Sequence, residues 1–428
     1  MKTSTKLITL ASTALALAAG AQIAHGAGFA IYETNSRGFA MGNAVTGLND
    51  DASALYSNPA AITSLKGTRI VAGVAAIVPN VSLDVHEYDY PAQLGGAHLD
   101  AQRTNMNNYV APMPHVYVTR QINDRFSAGI ALFSPFGLKS DFDPTWPGRV
   151  NNYYTEIVTF EVNPSVAWKV FEKNGHALSI AIGLQAIYAD VDIRRDLTGA
   201  NALGKLRLYG DTTAFGYNVA LQYKLNNQLG VGLHYRTHLQ LDFDKAHATA
   251  TPFTAAGLGA VHATGAIDLP ASWAFGVNYR PIDRLEIGFQ ALLTEWSSYD
   301  KLDIDIYAPT GMGGKIATSS PKNWSDVWRY SLGAEYQWTD TFALRVGYVI
   351  DKDPVDPAHA DFMVPSNDRQ VVSFGGGFKL SDRATLDLAY GYVLIKDRDI
   401  AARPAEGVVP VTTHADAYVV SATLNWVF

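Results

Sequence analysis

Along this chain, hydrophobic and polar residues trade places with a period of two. In "LGVGLHYRTHLQLDF" the odd positions Leu229, Val231, Leu233, Tyr235, Leu239, Leu241 and Phe243 are apolar, whereas the even ones include His234, Arg236, His238, Gln240 and Asp242. "VWRYSLGAEYQW" sets Trp328, Tyr330, Leu332, Tyr336 and Trp338 against Arg329, Ser331, Glu335 and Gln337. The last stretch, "ADAYVVSATLNWVF", puts Tyr418, Val420, Ala422, Leu424, Trp426 and Phe428 on one face and mostly small or polar residues on the other. A period of two is the signature of β-strands. These segments run to about ten residues or more, longer than the roughly 5–6 of soluble sandwiches. Their apolar faces carry aromatics near both ends, as strands crossing a membrane do, with lipid outside and a polar lumen inside.

About fourteen such segments fit between Lys66 and Phe428. Short turns are predicted at Asn123–Asp124, Lys173–Gly175, Asn226–Asn227, Pro281–Asp283, Thr339–Asp340 and Ser381–Asp382. They alternate with long polar connections near 81–107, 139–152, 194–209, 244–264, 299–322, 352–366 and 397–413. Short periplasmic turns and long external loops are the outer-membrane pattern, and an even strand count returns both ends to the periplasm. The predicted fold is an all-β, fourteen-stranded antiparallel transmembrane barrel over 66–428.

The first residues break the pattern. Lys2 and Lys6, the apolar "LITLASTALALAAGAQIA", and the small residues Ala24 and Gly26 read as a secretory signal over 1–26. Residues 27–65 then precede the first strand, and hydrocarbon does not tolerate them as a lipid-exposed coil. "NDDASALYSNPAAITSLKG" is helix-flavoured: Asn58 reads as an N-cap with Pro59 at the first helical position, and Ala52, Ala54, Leu55, Ala60, Ala61 and Ile62 give it something to bury. Residues 27–65 either hang as a loose tail in the periplasm or fold into the lumen; these apolar residues favour the second, a helical hatch with Asn58, Pro59 and Ala60 as its gate element.

Composition narrows the chemistry. There is no cysteine, which removes disulfides and thiolate metal sites, and the net charge of −7 offers no basic patch for nucleic acid. No G-x-S-x-G elbow is present, so no enzyme is expected and no cofactor. His234 and His238 stand about 13 Å apart on a strand, too far to share a metal, and read as lumen wall. Gly375, Gly376 and Gly377 have no following helix to make a phosphate loop and are expected to relieve crowding on the lumen side.

The mature start "AGFAIYETNSRGFAMGNAVTGLNDDASALYSNPAAI", with its "NPA" at Asn58–Ala60, resembles the hatch of FadL-type outer-membrane transporters. "VNPSVAW" (Val162–Trp168), "LPASWAFGVNYRP" (Leu269–Pro281) and the terminal Phe428 extend the resemblance over the mature chain. It implies a fourteen-stranded barrel with an N-terminal hatch, and uptake of long-chain fatty acids or other hydrophobic compounds across the outer membrane. Ligand would be caught outside, pass to an internal pocket and leave sideways through an inward kink in strand three. Among basic contacts, the resemblance points to Arg195 for the carboxylate; the family's second basic contact has no clear match here, with Lys322 and Lys315 as nearby candidates.

The residues support an apolar cargo independently. In "SIAIGLQAIYADVDIRR" the inward phase turns apolar at Ile187, Val191 and Ile193 and ends on Arg195, a guanidinium above an apolar wall; the competing reading has Arg194 and Arg195 as loop charges paired with Asp190, Asp192 or Asp196. Strands two and three, "NYVAPMPHVYVTRQ" and "RFSAGIALFSPFGL", carry Pro112, Pro114, Pro135 and Gly137. A two-residue turn at Asn123–Asp124 would set Pro112 opposite Pro135, so both strands would lack a ladder donor at one height. Pro112, Pro135, Phe136 and Gly137 are therefore the expected lateral opening. Expected partners are a fatty acid or other hydrophobic ligand, outer-membrane lipid and lipopolysaccharide, and the barrel-assembly machinery, which would meet the strand ending in Phe428. The alternatives are an importer of monoaromatic hydrocarbons and a surface adhesin or receptor barrel.

Overall fold

The computed structural model describes residues 28–90, 96–197, 203–226 and 228–428; the expected leader lies outside them. Fourteen antiparallel strands close into one barrel. They are β1 (Thr68–Val85), β2 (Gln102–Asn105 and Ala111–Gln121), β3 (Phe126–Phe133 and Gly137–Asp141), β4 (Tyr154–Lys173), β5 (His176–Leu197), β6 (Gly204–Leu225) and β7 (Leu229–Arg236, Leu239–Asp242 and Ala246–Ala250). The second half comprises β8 (Val261–Leu269 and Ser272–Ile282), β9 (Leu285–Thr294 and Lys301–Tyr307), β10 (Lys315–Pro321 and Val327–Thr339), β11 (Phe342–Asp351), β12 (Arg369–Ser381), β13 (Ala384–Ile395 and Arg398–Ile400) and β14 (Val411–Val427). The seam is continuous: β1 pairs with β14 from Arg69↔Val427 to Val85↔Val411. Alternation holds at the level of single residues, Val419 being fully buried and Val420 54% exposed.

The first strand starts at Thr68, two residues later than expected. One turn also differs. Gln121 pairs with Ser127, and the Ile122 N–H donates to the Phe126 carbonyl at 2.9 Å, so Arg125 belongs to the turn. The Asn123 side chain accepts from the backbone N–H of Arg125 and Phe126, both at 2.9 Å, an Asx-type turn that adds one residue. The register therefore slips by one, and Pro112 does not face Pro135.

Residues 28–65 run inside the ring of strands. Ser36 Oγ lies 2.7 Å from Ser421 Oγ and 2.6 Å from Thr423 Oγ1 on β14, and Gly47 N–H donates to Asn278 on β8 at 3.0 Å. Thr63 Oγ1 meets Ser179 Oγ on β5 at 2.7 Å. Three short helical turns occur here, α1 (Ser36–Ala40), α2 (Ala54–Ser57) and a 3₁₀ turn over Pro59–Ser64. Asn35 caps α1 by accepting from the N–H of Arg37 and Gly38, and Asn58 caps the 3₁₀ turn by accepting from Ala60 N–H at 3.1 Å.

Seven successive strands make room for the stretch 39–46. Gly232, Gly276, Gly288, Gly333, Gly347, Gly375 and Gly391, one on each of β7 to β13, face it, and an added Cβ on any of them would strike it. A methyl at Gly375 would stand 2.7 Å from Ala40 Cβ, and one at Gly276 2.6 Å from Thr46 Cβ. Below this track, ion pairs tie the segment to the wall. Arg37 reaches Glu335 at 2.9 Å and Glu286 at 3.5 Å, Arg345 joins Glu335 to Asp387 at 2.6 Å each, and Arg280 joins Glu286 to Asp50.

Replacing Gly375 by Leu is expected to cost about 1–3 kcal/mol through overpacking against Ala40. The barrel should still show heat-modifiable migration on gels while amides of 36–47 lose protection from hydrogen exchange. Unchanged protection would mean that the track does not seat the segment.

Candidate ligand site and wall break

Strand β3 is interrupted over 134–136, and its pairing with β2 stops at Val116↔Leu132. Pro135 has no N–H to give, and Ser134, Pro135 and Phe136 leave the ladder. The freed groups are met from inside. Ile31 N–H donates to the Pro135 carbonyl at 2.9 Å, Gly137 N–H donates to the Phe29 carbonyl at 2.7 Å, and Ala30 forms an antiparallel bridge with Phe136. On the far side, Phe136 N–H donates to Thr159 Oγ1 at 3.1 Å, and that hydroxyl donates to the Phe136 carbonyl at 2.5 Å. A short piece of the N-terminal segment thus patches a hole in the wall. Pro112 pairs with Ala76 of β1 on its other edge, and the register that runs from Gln121↔Ser127 to the Asn107 N–H on the Asp141 carbonyl sets it opposite Phe136, one residue from the expected Pro135.

The same piece fills a pocket. The Phe29 ring packs edge-on against Trp296 at 4.7 Å and Tyr299 at 5.8 Å, with Trp324 at 5.8 Å and Phe136 at 6.1 Å. Gly28 adopts φ +60°, and a Cβ there would meet the Trp296 ring at 2.6 Å, so only glycine allows this approach. Ile187, Val191 and Ile193 are buried in the same apolar cluster as Phe29, Trp296 and Met363. Arg195 stands above them, with Nη2 3.8 Å from Met363 Sδ and with Nε unpartnered among the described residues. Lys322 Nζ approaches the same sulfur at 3.8 Å and pairs with Asp361 at 2.5 Å. Burial disfavours the Asp361 charge, but the adjacent Lys322 ammonium prevails and holds the carboxyl below its usual range. A depressed carboxyl keeps its contribution above the unfolded value, so this pair stands from neutral pH down to about 4.

Chain parity separates the two arginines. Arg194 turns outward and pairs with Asp192 at 2.7 Å, whereas Arg195 turns in. Lys315 is exposed on Asp305 at 2.8 Å and takes no part. The Asn58 amide nitrogen donates to the carbonyls of Thr46 at 2.9 Å and Leu221 at 3.1 Å, pinning the 3₁₀ turn to the wall well away from the pocket. Pro59 and Ala60 are buried beside it.

A second cluster lies where the N-terminal piece meets β10 to β12. Asp351 takes Arg329 at 2.8 Å and Arg369 at 2.6 Å, all three being buried. The Tyr32 ring lies under the Arg329 guanidinium at 4.4 Å, and Arg369 is 5.9 Å from the same ring. The buried Glu33 follows, its carboxylate accepting from Tyr32 N–H at 3.0 Å.

Neither cluster was fully visible in the sequence. Trp296 and Trp324 flank one external connection, a signal that spacing alone did not mark, and Phe29, Tyr299, Asp361 and Met363 carried none. Gly28 and Phe29 precede the strands entirely.

Residues 17–428 match the model of the family described as outer membrane protein transport protein (OMPP1/FadL/TodX). The chain is 27% identical over 456 residues to a "47 kDa outer membrane protein" of Pasteurella multocida, covering 100% of both. It is 25% identical over 460 residues to a "Long-chain fatty acid transport protein" of Salmonella typhi, covering 99% of both. A crystal structure of a Pseudomonas aeruginosa FadL homologue shares the fold with a TM-score of 0.78 at 22% identity, over 93% of this chain and 99% of that one.

Arg195→Gln is expected to weaken binding of a long-chain carboxylate on the order of tenfold, the worth of a charge-assisted hydrogen bond, and to spare an alkane of equal length. Calorimetry on the purified protein in detergent reads both. Equal losses would assign Arg195 to packing, and no loss would remove it from the site.

Proposed function

Since the chain belongs to the outer membrane protein transport protein (OMPP1/FadL/TodX) family, whose members carry fatty acids or hydrophobic aromatics, we propose that it takes up long-chain fatty acids and similar amphiphiles and releases them sideways into the membrane. One observation carries this reading: Phe29 to Ile31 fill the aromatic pocket and patch the wall break at once. A tail that takes the place of Phe29 draws the same backbone away from Pro135 and Gly137. Capture and exit are then a single event, with Arg195 and Lys322 holding the head group and Ile187, Val191 and Ile193 lining the tail. Asn58, Pro59 and Ala60 anchor the rest of the segment, so that movement is confined to the residues before α1.

Magnitudes favour a long tail. Burial of Phe29 is worth about 1.5–3 kcal/mol, and its aromatic contacts add about 0.5–1.5 kcal/mol each. At about 0.8 kcal/mol per buried CH₂, its burial and four ring contacts correspond to roughly four to eleven methylenes. A monoaromatic hydrocarbon offers less, which ranks that cargo second. A surface adhesin has no use for a closed apolar pocket. The downward route is barred because the chain of ion pairs from Asp50 through Arg280, Glu286, Arg37, Glu335 and Arg345 to Asp387 gives a hydrocarbon nothing to bind.

The test is a reversible lock. Ala30 and Phe136 form a non-hydrogen-bonded antiparallel pair, with Cα atoms about 4.5 Å apart, within reach of a disulfide. The sequence has no other cysteine. With A30C/F136C oxidised, uptake of a labelled long-chain acid should fall to background and return on reduction. Undiminished uptake through the oxidised protein would place the exit elsewhere.

A further inference from the structure

The residues from Phe29 to Glu33 lead from the wall break, where Ala30 bridges Phe136, to the arginine pair on β10 and β12, where the Tyr32 ring lies under Arg329. Their chemistry changes along that line. Phe29, Ala30 and Ile31 are apolar and lie at the break, whereas the Tyr32 ring lies at the arginines and the Glu33 carboxylate, folded back onto the Tyr32 N–H, acts on the Arg369 charge without a direct ion pair. The arginine end is a built site: Arg329 and Arg369 carry two positive charges against the one carboxylate of Asp351. Arg329 is 2% exposed, and its Nε has no partner among the described residues. Glu33 is the buried anion of the N-terminal piece whose charge bears on Arg369.

We infer that Arg329 and Arg369 form a second carboxylate site, deeper than the one at Arg195, which the N-terminal segment occupies in the resting protein as an internal stand-in for an acidic amphiphile. This rests on the transport reading above and deepens it. Once the tail of a fatty acid has displaced Phe29 to Ile31, Tyr32 and Glu33 withdraw with the same backbone. The cluster is left with one uncompensated positive charge facing the lumen. A carboxylate accepting from the guanidiniums, with its alkyl chain laid toward Ser134–Phe136, then takes the position of the segment it replaced. The head group thereby has a charged partner while its tail is already in the wall. An alkane gains nothing from this site, so it separates acidic from neutral cargo at the exit rather than at capture.

Uptake of palmitate and of hexadecane by cells expressing the full chain tests the site, with heat-modifiable migration confirming each barrel. Glu33→Gln removes the competing anion and should speed palmitate uptake on the order of tenfold, leaving hexadecane unchanged. Adding Arg369→Gln removes the surplus charge while Asp351 keeps Arg329. Palmitate uptake should then drop below wild type, again without effect on hexadecane. Palmitate and hexadecane moving in parallel in both variants would reduce the cluster to packing of the gate and overturn the inference. So would a selective fall of palmitate in Glu33→Gln alone. Equilibrium binding to Arg195→Gln tests the outer site separately, and a wild-type protein inert toward both compounds overturns the transport reading and this inference with it.

Discussion

A membrane barrel cannot leave backbone polar groups facing hydrocarbon without a partner, because no water is there to take them. Strand β3 violates that rule over 134–136, and the violation organises the rest of the molecule. The freed N–H and carbonyl groups find Phe29, Ile31 and the Thr159 hydroxyl. Those partners demand that residues 28–31 lie beside the break, and this in turn fixes Phe29 in its aromatic pocket. The chain behind them is then committed to cross the lumen, where Tyr32 meets the arginines of β10 and β12. A fault in one strand and the seat of the N-terminus are two views of one set of hydrogen bonds.

The interior divides by chemistry along its height. The pocket half is mainly apolar and aromatic, with the buried Lys322–Asp361 pair and the Asp351–Arg329–Arg369 cluster set beside the rings. The hatch-anchoring half is ionic, with Arg37, Arg280 and Arg345 strung between carboxylates that the wall and the segment share. Buried pairs of this kind add little net stability against apolar packing, yet breaking one partner away leaves a desolvated charge. They resist movement more than they favour folding. The glycine track adds the same property by geometry, since the stretch 39–46 lies where seven strands have given up their side chains.

Much of this was legible from the sequence, and the reasons differ by element. Strands such as β14 and β7 announce themselves because burial on one face and lipid on the other impose a strict period of two. The Asn58-Pro59 cap was readable because capping is local, within two residues of backbone. Arg195 separated from Arg194 by parity alone. The turn at Asn123 was misjudged by one residue, because an Asx turn is decided by a side-chain hydrogen bond that spacing does not encode. The aromatic pocket stayed hidden for a different reason. Phe29 lies far along the chain from Trp296 and Trp324, all three sit outside the strands, and nothing periodic links them. The expected pairing of Pro112 with Pro135 failed with the register, although the break itself lies at the expected prolyl strand.

Ser36 offers a last consequence, one of timing. Its hydroxyl docks between Ser421 and Thr423, 385 and 387 residues further along the chain. Those residues sit on the last strand, the one that closes the seam against β1. A chain exported from its N-terminus therefore delivers one partner of this contact first and the other last. The portion of the molecule that is made earliest has no finished seat until the final hairpin arrives. Contacts at such separation are the slowest kind to form, so the interior is completed at the end of assembly, when the ring shuts around it.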